Sequence, residues 1–173
     1  YDIKDGVLNL EFHTKMNTMG KDVLEGINYA IDICEKQYTG LVIANEADYF
    51  SAGADLGTVF MLAGNRDFDT IEKSIDAFQK TTMRVRYSSV PVVVATSGLA
   101  LGGACELSMH ADAVQAHNET YMGLVELGAG LIPAGGGTKE TVLRVSSEYS
   151  KGDPEFNKLM ESFMTIASAK VST

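Results

Sequence analysis

Glu106 and Glu126 are two carboxylates in unusual company. Glu106 lies in LGGACELSMHAD (101–112), in the first turn of a segment that reads as a helix opened by paired glycines. Glu126 lies in YMGLVELGAG (121–130), flanked by apolar and small residues. Two carboxyls held together away from water do not titrate alike. Burial and mutual repulsion raise at least one pKa, so that one group can donate a proton near neutrality while the other accepts one. Taken singly, each has a plain alternative: Glu106 as an acid favoured by a helix dipole, Glu126 as a solvated loop residue. What sets them apart is their setting among three glycine-rich loops, SAGAD (51–55), GLALGG (98–103) and GAGLIPAGGG (128–137). Glycine admits positive φ and close approach, so such loops can turn N–H groups toward a bound oxygen. Gly102 and Gly103, at a helix start, add the positive end of its dipole.

The elements that must position these groups follow from periodicity. GVLNLEF (6–12) alternates as a half-buried strand does, and from Met19 the apolar residues Val23, Ile27, Ala30, Ile31 and Cys34 mark one helical face, with Asn17 and Thr18 as available caps. GLVIAN (40–45) and VPVVVAT (90–96) read as buried strands, and FSAGADL (50–56) as the loop leaving the first. Between them Phe68, Ile71, Ile75, Phe78, Thr82 and Val85 form a helical packing seam, capped by Asp67 or Asp69. SGLALGG (97–103) turns into the Glu106 helix, DAVQAHN and TYMGL (112–124) read as short strands, and GAGLIPAGGGTKE (128–140) enters another helix. Phe156, Leu159, Met160, Phe163, Ile166 and Ala167 share one face of a tail helix, with Pro154 suited to its first turn. Alternating strands and helices predict an α/β fold with largely parallel pairing: a core over residues 1–150, and an amphipathic helix in 151–173 that runs to the end of the sequence. A start at Tyr1 rather than Met fits a piece of a longer chain.

Other chemistries match poorly. GGGTK has its Thr and Lys in the wrong order for a phosphate-binding loop, and GAGLIPAG is not a dinucleotide fingerprint. Ser51 and Ser97 lack a nucleophile elbow, and His13, His110 and His117 read as surface or packing residues. Cys34 and Cys105 show no metal-ligand spacing and no disulfide framework, so no metal site is expected and a reducing cytoplasm fits. A net charge of -9, from 14 basic and 23 acidic residues, argues against nucleic acid as a partner. No apolar run is long enough to cross a bilayer, so no membrane partner is expected.

FSAGADL, SSVPVVVATSGLALGGACELSMHAD and TYMGLVELGAGLIPAGGGTKE, in that order, resemble the successive signature segments of the crotonase, or enoyl-CoA hydratase/isomerase, superfamily. The likeness covers residues 1–140; NETYMGLVELGAG and the final ASAKVST are similar, more narrowly, to the hydratase-like half of bacterial 3-hydroxyacyl-CoA dehydrogenases. The resemblance implies a crotonase-like ββα spiral, C-terminally truncated here, with two roughly perpendicular sheets. It implies an oxyanion hole from the N–H groups of Ala54 and Gly103, and Glu106 and Glu126 as an acid/base pair holding one water. That pair would hydrate a 2-enoyl-CoA to a 3-hydroxyacyl-CoA in fatty acid β-oxidation. Ala52, Gly53, Asp55 and Leu56 would lie along the CoA thioester, with Asp55 ordering the loop; Leu56, Phe60, Met61, Met122, Leu124 and Leu131 are candidates for an acyl tunnel or for core. The implied substrate is an acyl-CoA and the assembly a homo-oligomer. No cofactor is implied in this segment, NAD belonging to the dehydrogenase half.

Three features depart from the family pattern: Val125 where many hydratases carry proline, Ala104 in place of a third glycine, and IPAGGGT in place of IPGAGGT. Two other readings stay open at this point, an isomerase needing one of the two acids and a non-catalytic domain that binds CoA thioesters or serves assembly.

Overall fold

A computed structural model describes residues 1–150 and 155–172. Four parallel strands form the main sheet in the order β1 (Val7–Leu10), β2 (Gly40–Ala44), β3 (Val92–Thr96), β5 (Ala113–Ala116). The Val- and Ile-rich runs of β2 and β3 suit central strands covered by helices. Leu41, Ile43, Val92 and Val94 are fully buried in one cluster with Ile27, Ile31 and Cys34 on the apolar face of α1 (Lys21–Gln37), which have no exposed surface. Each such isoleucine contributes roughly 2 kcal/mol of burial.

Neither Asn17 nor Thr18 caps α1; the N-cap is Gly20, without a side-chain bond. A 3-10 turn at Lys15–Asn17 sets both residues ahead of the helix. Asn17 instead donates through Nδ2 to the Tyr49 carbonyl at 3.0 Å, tying down the loop that follows β2.

That loop leads into α2 (Leu56–Gly64), a helix the periodicity did not reveal because it is apolar yet has no buried residue. Asp55 starts it, accepting from Gly57 N at 3.1 Å and Thr58 Oγ1 at 2.7 Å. Of the two caps its sequence offers, α3 (Phe68–Arg86) uses Asp67, with Asp69 in its first turn. Its seam is buried only from Phe78 onward; Phe68 and Ile75 are exposed, so the packing face covers the second half of the helix.

The segment read as a turn before Glu106 contains β4 (Leu99–Leu101), paired in parallel with β6 (Tyr121–Gly123) in a second, two-stranded sheet. The register places Leu101 opposite Gly123, and Gly102 N donates to Gly123 O at 2.9 Å. This pairing delivers the chain just before Glu126 to the start of α4 (Gly103–His110). α5 spans Gly137–Ser147 and α6 spans Phe156–Ala167. The periodicity of α6 is as expected, but Phe156, Met160 and Phe163 face outward, and Pro154 lies outside the described residues. Beyond α6, Ser172 N donates to Met122 O at 2.8 Å, laying the tail along β6. Among the described residues no helix is long and apolar enough to cross a membrane.

Candidate active site

The loop after β2 is fixed on every side. Asn45 accepts from Phe12 N at 2.7 Å and donates to Phe50 O at 2.5 Å. Phe50 N and Ser51 N donate to the carbonyls of Ser97 and Leu99, and Leu101 N returns a bond to Ser51 O. Gly53 N donates to Ser51 Oγ at 3.0 Å, and Gly53 O accepts from Met19 N at 2.8 Å. This leaves Ala54 N, which has no acceptor among the described residues; the same holds for Gly103 N, first in α4 and without a side-chain cap above it.

The two free N–H groups are neighbours. A Cβ placed on Gly53 would fall 3.2 Å from Gly103 N, and one placed on Gly103 would fall 3.7 Å from Ala54 N. Gly53 is obligatory here: its φ is +89°, and a Cβ would stand 2.5 Å from the Leu101 carbonyl oxygen. Gly53→Ala is therefore expected to force the loop from β4 and misplace both donors. Urea unfolding should register the strain as a lowered midpoint.

α4 can run through the interior because its residues are small. Gly103, Ala104, Cys105, Leu107, Ser108 and His110 are all buried with Glu106, which is only 2% exposed. The Glu106 carboxylate accepts from Gly135 N, 2.9 Å from both oxygens, and from Gly137 N at 2.9 Å. Burial raises its pKa, opposed by the N–H groups of Gly137, Gly135 and Gly136. Of the three glycine-rich loops, then, two present free N–H groups, while the third spends its own on Glu106. Sequence reasoning missed that clamp; the triple glycine at 135–137 was its visible sign.

Glu126 opens a 3-10 turn at Glu126–Ala129 and is half-buried, not a solvated loop residue. A Cβ on Gly102, whose φ is +53°, would lie 3.1 Å from Glu126 Oε1, so a side chain there would crowd the carboxyl and strain the backbone. Glu126 Oε2 is buried without a hydrogen-bond partner among the described residues. Burial, with the charge of Glu106 adding to it, pushes its pKa up to about 7. The same enclosure pushes the Cys105 thiol up to about 12, leaving it a neutral packing group.

Of the remaining sequence candidates, Ala52 and Gly53 precede Ala54 in the loop, while Asp55 and Leu56 mark the start of α2. Leu124 is core, whereas Phe60 and Met61 are exposed on α2. His110 is buried, its Nδ1 2.7 Å from the Glu106 carbonyl; its Nε2 faces Lys139 and Glu140, and Arg86 closes that cluster at 2.7 Å from Glu140. Among the described residues no group of three or more His, Cys, Asp or Glu is placed to hold a metal.

Comparison with known proteins gives a consistent result. The family described as enoyl-CoA hydratase/isomerase matches residues 2–151. The chain is 42% identical over 171 residues to a "Probable 3-hydroxyacyl-CoA dehydrogenase" of Bacillus subtilis (strain 168), covering 99% of this chain and 21% of that protein. It is 30% identical over 142 residues to a short-chain-enoyl-CoA hydratase of Clostridium acetobutylicum, covering 79% of this chain and 52% of the other. Its fold matches that of an enoyl-CoA hydratase from Polaromonas sp. JS666 with TM-score 0.85 at 18% identity, over 99% of this chain and 63% of that one. The chain thus spans about a fifth of the Bacillus subtilis protein and under two thirds of the Polaromonas structure. With a family match over most of its length and a crotonase fold beneath it, the chain belongs to the enoyl-CoA hydratase/isomerase family.

Proposed function

We propose that this chain is a 2-enoyl-CoA hydratase module serving fatty acid β-oxidation. The observation that carries the reading is the pair of enclosed carboxyls with different surroundings, Glu106 clamped by backbone N–H groups and Glu126 with a buried bare oxygen, beside two free amides. The thioester oxygen takes the N–H groups of Ala54 and Gly103, which stabilise the negative charge that develops on it; one such donor is typically worth about 3 kcal/mol. Glu106, whose ionised form the Gly135 and Gly137 N–H groups favour against its burial, removes a proton from water as the water oxygen bonds to C3. Glu126, protonated near neutrality, delivers its proton to C2. The product is the 3-hydroxyacyl-CoA, and the proton returns from Glu106 to Glu126 through solvent.

The exposed start of α2, with Ala52, Gly53, Asp55 and Leu56, is the proposed track of the CoA portion, and no cofactor enters this chemistry. NAD use, a homo-oligomeric assembly and a cytoplasmic setting go with the proposed place of this module in a larger 3-hydroxyacyl-CoA dehydrogenase. An isomerase needs one acid where this chain encloses two, which favours hydration. The test is crotonyl-CoA hydration by this chain beside one continued past Thr173, with thioester binding checked in both. Hydration by either supports the proposal, with activity only in the longer chain locating a pocket wall downstream. Conversion of a 3-enoyl-CoA in place of hydration would support the isomerase. Binding without turnover in both chains would support the non-catalytic reading.

A further inference from the structure

The clamp on Glu106 is itself held from behind. Gln79 and Thr82, three residues apart on α3, both reach the loop before α5. Gln79 Nε2 donates to the Ala134 carbonyl at 2.6 Å, and the Thr82 hydroxyl lies 2.9 Å from the Gly135 carbonyl oxygen. Thr82 Oγ1 is also 3.0 Å from Gln79 O, but that carbonyl lies within the α3 ladder, whereas Gly135 O has no backbone donor among the described residues. Thr82 is 1% exposed, so its proton must find an acceptor inside.

In a trans peptide the C=O and N–H vectors point opposite ways. Pulling the Ala134 carbonyl toward α3 therefore drives Gly135 N–H away from α3, where it meets both oxygens of Glu106. Pulling the Gly135 carbonyl turns Gly136 N–H the same way, and that group too favours the ionised form of Glu106. Without these anchors the glycine run has wide freedom of rotation: Gly136 already sits at φ +110°, and neither Gly135 nor Gly137 has a side chain to fix it.

We propose that Gln79 and Thr82 are positioning residues which, through the Ala134 and Gly135 carbonyls, aim backbone N–H groups at Glu106 and so keep it the proton-accepting member of the pair. The inference rests on the hydratase reading for its catalytic meaning, not for its geometry. The other charged or titratable groups around Glu106 are accounted for. Glu126 and Cys105 share its enclosure, His110 meets its carbonyl, Arg144 of α5 donates to the Met109 carbonyl at 2.6 Å, and Lys139 and Glu140 of α5 and Arg86 of α3 pair with one another around His110.

The test is a ¹³C NMR titration of the Glu106 side-chain carboxyl, assigned by its disappearance in Glu106→Gln. In Thr82→Val and in Gln79→Leu the midpoint is expected to move up by about one pH unit, the result of weakening charge-assisted bonds to the ionised form. Thr82→Ser keeps the hydroxyl and should titrate like the parent. The acid limb of kcat/KM should follow the carboxyl midpoint, which a loss of packing alone would not produce. If Thr82→Val does not fold, Gln79→Leu, at an exposed position, decides the matter. Parent-like midpoints in the folded variants would overturn the inference. An absence of hydration in every chain would overturn the functional reading while leaving the titration to judge the clamp.

Discussion

Glu126→Gln is expected to lower kcat for enoyl-CoA hydration by about 10²–10⁴-fold, because glutamine fills the same space but cannot deliver a proton to C2. The parent enzyme should lose rate as pH rises past about 7, where Glu126 gives up its proton to solvent. The residual rate of the variant should lack that limb. Stability should respond in a linked way. The folded pKa of Glu126 lies near 7, above its ordinary value of 4.5, so the native state binds more protons between these limits. Its contribution is fully present below 4.5 and is lost as pH climbs through 7. Glutamine has no charge to bury, so the variant should gain on the parent by on the order of 2–3 kcal/mol between pH 5 and pH 8. Urea unfolding at the two values measures this. An equal difference at both would show that Glu126 is not held protonated.

Glu106→Ala is expected to abolish hydration and also to destabilise the fold. Two buried N–H groups, of Gly135 and Gly137, would lose their acceptor at once, each costing about 1–3 kcal/mol, with a cavity beneath Gly137 adding to the loss. Glu106→Gln separates the two effects. Its remaining oxygen can still accept from both amides, so the chain should unfold near the parent's midpoint while turnover falls by about 10³-fold. If Glu106→Gln hydrated crotonyl-CoA at the parent rate, the carboxylate would be a structural anchor for the loop and nothing more.

Most of the frame was legible because it rests on periodicity. The runs of β2 and β3, the buried stripe of α1 and the Asp67 start of α3 are local patterns that tertiary packing confirms. α2 escaped because its apolar residues stay exposed, so no amphipathic period marks it. β4 escaped because three residues inside a glycine-containing segment look like a turn until β6 pairs with them. At the site, residue types and their glycine loops singled out Glu106 and Glu126, and the family resemblance pointed to the N–H groups of Ala54 and Gly103. What they did not supply was partnership across distance: Gly135 and Gly137 meet Glu106 from about thirty residues away, and Gln79 and Thr82 reach that loop from more than fifty. Glycine loops announce available N–H groups; only the packed chain says which oxygen they face.

The central claim, that Glu106 and Glu126 add water across an enoyl thioester, is tested most directly by following crotonyl-CoA in D₂O by NMR with this chain and with one continued past Thr173. The account predicts 3-hydroxybutyryl-CoA carrying a single deuterium at C2 and its new oxygen at C3, formed by the parent and lost in both Glu106→Gln and Glu126→Gln. Crotonyl-CoA bound by both chains yet recovered unchanged, or product formed equally by the two variants, would contradict it.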